Sequence, residues 1–222
     1  MDIKILEQNR DFTLCIKPAG VVSEEGEGSL PALLKEQTGV SVYPVHRLDR
    51  GTAGLMVYAN NSATAAALSA AIREGNFTKE YMAVVRGAPD TEEGVLTDLL
   101  YHDRRKNKSF TVKKSRVGVK SASLEYKLLG TAVRKGESLS LLRIKLHTGR
   151  THQIRVQFAS RKLPLYGDGK YGGRTESEGI ALWSYRIAFS LGGRAYDFEA
   201  LPPESYPWAL FPADGGKKAK NT

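Results

Sequence analysis

Two short stretches combine ionisable side chains with glycines and end in apolar runs, a pattern that core packing alone does not require. The first covers residues 46–55 (HRLDRGTAGL) and the second residues 149–155 (GRTHQIR). In the first stretch the Asp49 carboxylate lies between two arginines, and a neighbouring guanidinium favours the ionised form of a carboxyl group. An ionised aspartate that is shielded from water can act as a nucleophile or as a base toward an electrophilic ring. The alternative is a turn aspartate that only pairs with its neighbours.

The second stretch predicts a basic helix. The pattern of residues 151–161 favours an α-helix with Ile154 and Phe158 on its apolar face. We expect His152 and Arg155 to lie one turn apart on a shared face of this helix. A second group of ionisable side chains weakens the interpretation of Asp49 as a simple turn residue.

Patterns typical of metal sites and of serine hydrolases are missing from the sequence. The histidines do not form an H-E-x-x-H motif, and no serine lies in a G-x-S-x-G motif. The single cysteine, Cys15, excludes an internal disulfide and a cysteine-based zinc cluster. We therefore expect neither a metal centre nor a Ser-His-Asp triad.

Strand patterns outnumber helix patterns around the two stretches. We predict one helix after Ser29 that ends at Gly39, and a second helix over residues 62–74 that ends before Gly75. The predicted strands cover residues 3–6, 12–16, 40–45, 54–59, 77–85, 121–129, 138–146, 181–191 and 194–199. This pattern predicts an α+β fold with a mostly antiparallel mixed β-sheet and a few flanking helices. We expect a single domain over residues 1–214, followed by a disordered basic tail over residues 215–222.

The positive charge of the chain is concentrated in one segment. The 222 residues carry 33 Lys and Arg against 24 Asp and Glu, a net charge of +9. Residues 103–120 contain eight basic residues and one acidic residue, so this segment supplies +7 of the total. Such a cluster is typical of a surface that binds a polyanion, and a solvated loop is the alternative interpretation. Tyr101, Phe110 and Val112 alternate with the charged residues, which suggests that strands present the cluster. This pattern favours RNA binding over a solvated loop. No apolar run is long enough to span a membrane and the N-terminus lacks a secretory pattern, so we expect a cytoplasmic protein.

Five motifs in order resemble the RluA family of RNA pseudouridine synthases. Residues 46–55 resemble the family's HRLD-x-x-T-S-G-L motif, and residues 149–156 (GRTHQIRV) are similar to its G-R-T/S-H-Q-I-R-V motif. The other matches are residues 17–20 (KPAG), residues 79–81 (KEY) and residues 164–168 (PLYGD). Order and spacing hold from about residue 10 to residue 200, which makes the resemblance specific. The sequence departs from the family pattern at two positions. Ala53 lies where the family usually has serine, and Trp183 lies where it usually has histidine.

The resemblance implies a pseudouridine synthase fold and a role for each motif residue. It implies that Asp49 is the catalytic aspartate that attacks the target uridine, at C6 of the base or at C1′ of the ribose. Tyr81 would stack on the flipped base, Arg155 would pair with the aspartate, and Leu182 would pack on the other face of the uracil. Arg47 would enter the space that the extruded nucleotide leaves. The remaining candidates for substrate binding are His46 and Arg150.

The sequence therefore predicts an RNA pseudouridine synthase that isomerises uridine in ribosomal or transfer RNA. The resemblance implies no cofactor and no metal, and we expect a monomer that binds RNA and no membrane. We also expect a catalytic domain without the S4 RNA-binding module of many relatives. A catalytically idle relative that binds or remodels RNA is the alternative, and a hydrolase is a more distant one.

Overall fold

The computed structural model describes residues 1–172, 174 and 179–211. The chain divides into two compact units. The first comprises Met1–Tyr81 and Leu182–Pro202, and the second comprises Met82–Ala181 together with the described residues after Pro202. The single domain expected over residues 1–214 remains a prediction, and the tail 215–222 lies outside the described residues.

The first unit is built on a mixed β-sheet. Its elements are β1 (Ile5–Gln8), β2 (Phe12–Lys17), α1 (Leu30–Thr38), β3 (Tyr43–Pro44), β4 (Ala53–Ala59), α2 (Ser62–Glu74), the start of β5 (Phe77–Arg86), β10 (Leu182–Leu191) and β11 (Arg194–Glu199). Antiparallel pairs join β1 to β2, β2 to β4, β3 to β4 and β10 to β11, whereas β4 and β10 are parallel. Side chains of β2, β4, β5 and β10, among them Phe12, Leu55, Phe77 and Phe189, form its core with Leu68 of α2.

Local capping explains both helices of this unit. The Ser29 hydroxyl accepts a hydrogen bond from the Ala32 N–H, and Gly39 ends α1 in the left-handed conformation (φ 75°), as predicted. Helix α2 keeps its predicted bounds, and the Asn61 side chain caps it by accepting from the Thr64 N–H. The strand predicted over residues 40–45 is largely wrong, because only Tyr43–Pro44 pairs with β4.

The second unit is built on an antiparallel sheet. Its elements are the end of β5, β6 (Glu93–Asp103), β7 (Lys108–Val112), β8 (Val119–Arg134), β9 (Glu137–Leu146), α3 (Gln153–Ala159) and the 3-10 turns Gly169–Tyr171 and Trp208–Leu210. Strand β6 pairs with β7 and β8, and β8 pairs with β9, all antiparallel. Six of the eight basic residues of segment 103–120 lie in the connections on either side of β7, and only Lys108 on β7 and Lys120 on β8 lie on strands. The expectation that strands present this charge is therefore largely wrong, although Tyr101, Phe110 and Val112 do lie on β6 and β7.

Helix α3 is shorter than the sequence predicts. It was expected over residues 151–161, but His152 adopts a left-handed backbone (φ 56°), so the helix begins only at Gln153. The prediction that His152 and Arg155 share a helical face is wrong for this reason. Among the described residues, no helix is long and apolar enough to cross a membrane.

Candidate active site

Asp49 lies in the loop between β3 and β4 of the first unit, and its residue is half-buried. Backbone contacts hold the loop on both sides of this residue. The buried Ser23 hydroxyl donates to the Leu48 carbonyl (2.9 Å) and accepts from the Leu48 N–H (3.1 Å). The Thr52 N–H donates to the Asp49 carbonyl (2.9 Å). These bonds leave the carboxylate on a backbone that is fixed before the substrate arrives.

Lys17 anchors the same loop from β2. Its side chain is fully buried, and its ammonium donates to the carbonyls of Pro18 (2.9 Å), Val21 (2.7 Å) and Arg50 (3.2 Å). Burial lowers the pKa of Lys17 to about 8, while the negative charge of Asp49 opposes part of that shift. Lys17 was predicted only as part of the KPAG motif and was given no role in the site. A lysine at the end of an otherwise apolar strand was the signal that could have indicated such a role.

Tyr81 and Asp49 lie close enough to interact electrostatically. Tyr81 is 5% exposed on β5. Burial raises the pKa of its phenol, and the negative charge of Asp49 raises it further. The phenol is therefore neutral at physiological pH and presents a ring, rather than a second charge, beside the carboxylate.

Strand β10 brings Leu182 to the end of the Asp49 loop. Trp183 pairs with Ala53, and Ser184 pairs with Gly54, in the parallel ladder between β10 and β4. A Cβ atom on Gly54 would lie 2.4 Å from the Ser184 carbonyl oxygen, so the motif glycine permits this close approach. Leu182 is buried at the start of β10.

The other two candidates of the first stretch differ in exposure. The Arg47 side chain is 58% exposed and forms an ion pair with Glu24 (2.6 Å). The His46 Nε2 accepts from the Val57 N–H of β4 (3.2 Å), and its ring lies against Phe77. Burial lowers the pKa of His46 to about 3, helped by the nearby Lys79 charge, so the imidazole is neutral with its proton on Nδ1. These contacts of His46 support the loop. Substrate binding by Arg47 and His46 stays a prediction.

In the second unit, Arg155 forms a buried ion pair. Its Nε and Nη2 donate to the two carboxylate oxygens of Asp168 at 2.7 and 2.9 Å. Arg155 is 6% exposed and Asp168 is fully buried. The guanidinium also lies over the Tyr171 ring, 5.2 Å from its centroid. Asp168 belongs to the PLYGD motif, but it was not predicted as a site residue. Its partner Arg155 lies 13 residues away, and no short-range pattern in the sequence links the two.

Two more residues of the second stretch have contacts within the same unit. The Arg150 Nε donates to the Ser121 carbonyl (2.9 Å), although the residue is exposed. The His152 Nδ1 is hydrogen-bonded to the Tyr171 hydroxyl (2.9 Å). Substrate binding by Arg150 stays a prediction.

The described residues contain no group of three or more His, Cys, Asp or Glu side chains that could hold a metal ion. The Asp49 charge acts on the buried Lys17 and on the neutral Tyr81. A carboxylate in such surroundings is suited to nucleophilic or general-base chemistry on an organic substrate.

Residues 11–160 match the family described as RNA pseudouridylate synthase. The chain belongs to this family. The matched span includes Asp49, Tyr81 and Arg155 of the pseudouridylate synthase motifs, whereas Asp168 and Leu182 lie after it. The resemblance inferred from the sequence motifs is thereby confirmed.

Curated relatives agree with this family assignment. The chain is 30% identical over 222 residues to an uncharacterized RNA pseudouridine synthase of Haemophilus influenzae, covering 94% of this chain and 91% of that protein. It is 34% identical to the ribosomal large subunit pseudouridine synthase D of Borreliella burgdorferi over 68% of this chain and 46% of that protein. The chain thus spans about half the length of some of the curated relatives that it matches.

A solved structure shows the same fold. The human RNA pseudouridylate synthase domain containing 1 superposes with a TM-score of 0.79, covering 94% of this chain and 86% of that one, at 22% identity. The predicted α+β pseudouridine synthase fold with its mostly antiparallel sheet is therefore confirmed.

Proposed function

We propose that the protein isomerises uridine to pseudouridine in RNA, with ribosomal or transfer RNA as substrate. The single observation that carries the proposal is the half-buried Asp49 on a loop held by Ser23 and Lys17, with the buried Tyr81 ring beside it. The named relatives support ribosomal RNA as the substrate class, since one of them is a large-subunit enzyme. The chemistry of the site suits a neutral, electrophilic pyrimidine.

In the proposed reaction the Asp49 carboxylate attacks the flipped uridine at C6 or at C1′. The bond between C1′ and N1 breaks, the uracil rotates in place, a bond forms between C1′ and C5, and the covalent bond to Asp49 breaks so that the free carboxylate is restored. The C5 proton is then lost and N1 gains a proton, so product and substrate have the same composition. No redox step or external acceptor is involved, and the proposal therefore includes no cofactor.

The other predicted residues take the following roles in this proposal. Tyr81 and Leu182 provide the apolar surfaces that hold the uracil, and Arg155 serves as the basic partner that the family assigns to the aspartate. Arg47 enters the stack where the base was, which requires its ion pair with Glu24 to open. His46 and Arg150 remain candidates for contact with the RNA backbone.

A catalytically idle RNA-binding relative is the second candidate, and the observation that favours it is the basic segment 103–120. A pure binder has no need of an aspartate on a fixed loop beside a buried tyrosine, so we favour the enzyme. We further propose that the protein acts as a monomer in the cytoplasm.

The test is a carbodiimide primer-extension map of pseudouridines in RNA from cells that lack this gene. Cells complemented with the wild-type gene are expected to regain a primer-extension stop at the modified position. The Asp49→Asn variant is not expected to restore this stop, because a neutral amide is a much weaker nucleophile than a carboxylate. The affinity of Asp49→Asn for RNA is expected to stay within about threefold of wild type, since phosphate contacts dominate binding.

Asp11→Asn is the matched control, because Asp11 lies on a turn of the same unit, and it is expected to restore the stop. Equal product from wild type and Asp49→Asn would exclude the assigned role of Asp49. Binding without product from wild type on every abundant RNA would favour the idle relative.

A further inference from the structure

A cleft of about 350 Å³ in the second unit has no role in the proposed reaction. It lies between β7, α3 and the 3-10 turn Gly169–Tyr171. Its volume is at the lower end of the range for small-molecule sites, about 300–1,000 Å³. None of the seven predicted site residues lines it, so any ligand that it takes is separate from the isomerised uridine.

Two lysines and two aromatic rings line the cleft. The Lys108 ammonium lies 5.9 Å from the centroid of the Phe110 ring and 5.0 Å from that of Tyr171. The Lys170 ammonium donates to the Asn107 carbonyl (2.9 Å), which holds it near the start of β7. Among the described residues that line the cleft there is no carboxylate, so its charge is uncompensated and suits an anion.

Hydrogen bonds fix the walls of the cleft. The Tyr171 hydroxyl accepts from the Ser109 N–H (2.8 Å) and is also bonded to His152. The Ser109 hydroxyl donates to the Thr151 carbonyl (2.6 Å), which fastens β7 to the segment that leads into α3. The Phe110 side chain is left outside this network, on a residue that is 36% exposed. An exposed ring beside a lysine is an arrangement on which nucleic-acid bases stack.

We propose that this cleft binds one nucleotide of the RNA substrate other than the isomerised uridine. The base stacks on Phe110, and the phosphate lies beside Lys108 and Lys170. Aromatic stacking accepts any base, and phosphate contacts fix register without reading sequence. The Tyr171 ring forms a wall of the cleft and also lies beneath the Arg155 guanidinium. A nucleotide in the cleft is therefore separated from Arg155 by one aromatic ring. This inference rests on the proposed function, because it takes RNA as the ligand.

The test compares binding of a large-subunit ribosomal RNA transcript to wild type and to cleft variants of the full chain. Phe110→Leu keeps an apolar side chain but removes the stacking ring, and we expect a loss of affinity of about tenfold. Phe110→Trp is expected to restore affinity to within about twofold, because it restores a ring. For Lys108→Gln with Lys170→Gln, the slope of log affinity against log salt is expected to fall by about 1.

The matched control is Lys127→Gln with Lys162→Gln, because both lysines are exposed in the same unit and neither lines the cleft. This control is expected to bind with the affinity and salt slope of wild type. Thermal unfolding of each variant excludes a folding defect as the cause of lost binding.

If wild type isomerises RNA and the cleft variants bind like the control, the nucleotide subsite is overturned while the proposed function stands. If the cleft variants lose affinity as expected but wild type yields no pseudouridine, the subsite stands and the enzymatic function fails.

Discussion

At the scale of single residues, the arginine of the second motif depends on a carboxylate that the sequence analysis did not assign. Arg155 is 6% exposed and Asp168 is fully buried, so each charge has lost most of its contact with water. The bidentate geometry, at 2.7 and 2.9 Å, compensates that loss and fixes the plane of the guanidinium. Asp168 is therefore a positioning residue for Arg155.

We expect Asp168→Asn to lower the free energy of unfolding by about 3 kcal/mol, because it leaves a buried guanidinium with a neutral partner. Urea unfolding monitored by circular dichroism measures this loss. Glu125→Gln is the control, since Glu125 pairs with Lys145 at 3.3 Å in the same unit and the two side chains are 43% and 45% exposed. That variant is expected to lose less than about 1 kcal/mol. Equal losses from the two variants would contradict the proposed importance of the buried pair.

At the scale of elements, strand β4 connects the Asp49 loop to two other strands of the first unit. It begins four residues after Asp49, pairs with β2 over six positions and lies parallel to β10. At Gly54 the backbone of β4 approaches the Ser184 backbone of β10 closely, and the φ angle is 114°. A Cβ atom at this position would overlap with the Ser184 backbone. The backbone of two strands cannot move apart without loss of their ladder, so no side chain fits at this position.

Gly54→Ala is accordingly expected to lower the free energy of unfolding by about 3 kcal/mol or more, from the clash and the positive φ together. Gly75→Ala is the matched control, because Gly75 also has a positive φ (79°) but nothing within 4 Å of the added carbon. That variant is expected to lose about 1 kcal/mol. Urea midpoints measure both, and similar losses would mean that backbone conformation alone requires Gly54.

At the scale of the whole molecule, the distribution of charge matters more than its sum. The net charge is +9, and most of it lies in the segment 103–120. Arg104, Arg105 and Lys106 are exposed in the turn between β6 and β7, where the Asp103 carboxylate accepts the N–H groups of Arg105 and Lys106. The turn therefore presents three cations on a preformed backbone.

Replacing these three residues by Gln is expected to reduce the slope of log affinity against log salt by about 2, across all RNA sequences. The same replacement at Lys4, Lys35 and Arg73, which are exposed in the first unit, changes the net charge equally. That control is expected to leave the slope near the wild-type value. Equal effects from the two triple variants would show that net charge alone, rather than this turn, controls binding.

The family, the fold class and most elements of regular structure were predictable from the order of the residues. Helices α1 and α2 were predictable because their caps act within four residues, and the β10–β11 hairpin because Gly192 and Gly193 mark its turn. Asp49, Tyr81 and Arg155 were assigned from short contiguous motifs, and their roles remain predictions. The start of α3 was missed because the left-handed conformation of His152 depends on contacts such as its bond to Tyr171.

The contacts that hold these residues in place could be learned only from the folded chain. Lys17 reaches the Arg50 carbonyl across 33 residues, and Asp168 reaches Arg155 across 13. The cleft likewise combines β7, α3 and the turn at Gly169–Tyr171. Local preferences act over a few residues, whereas these pairings form only when the packing of the core brings distant segments within hydrogen-bonding distance. Their partners are therefore specified by the fold as a whole.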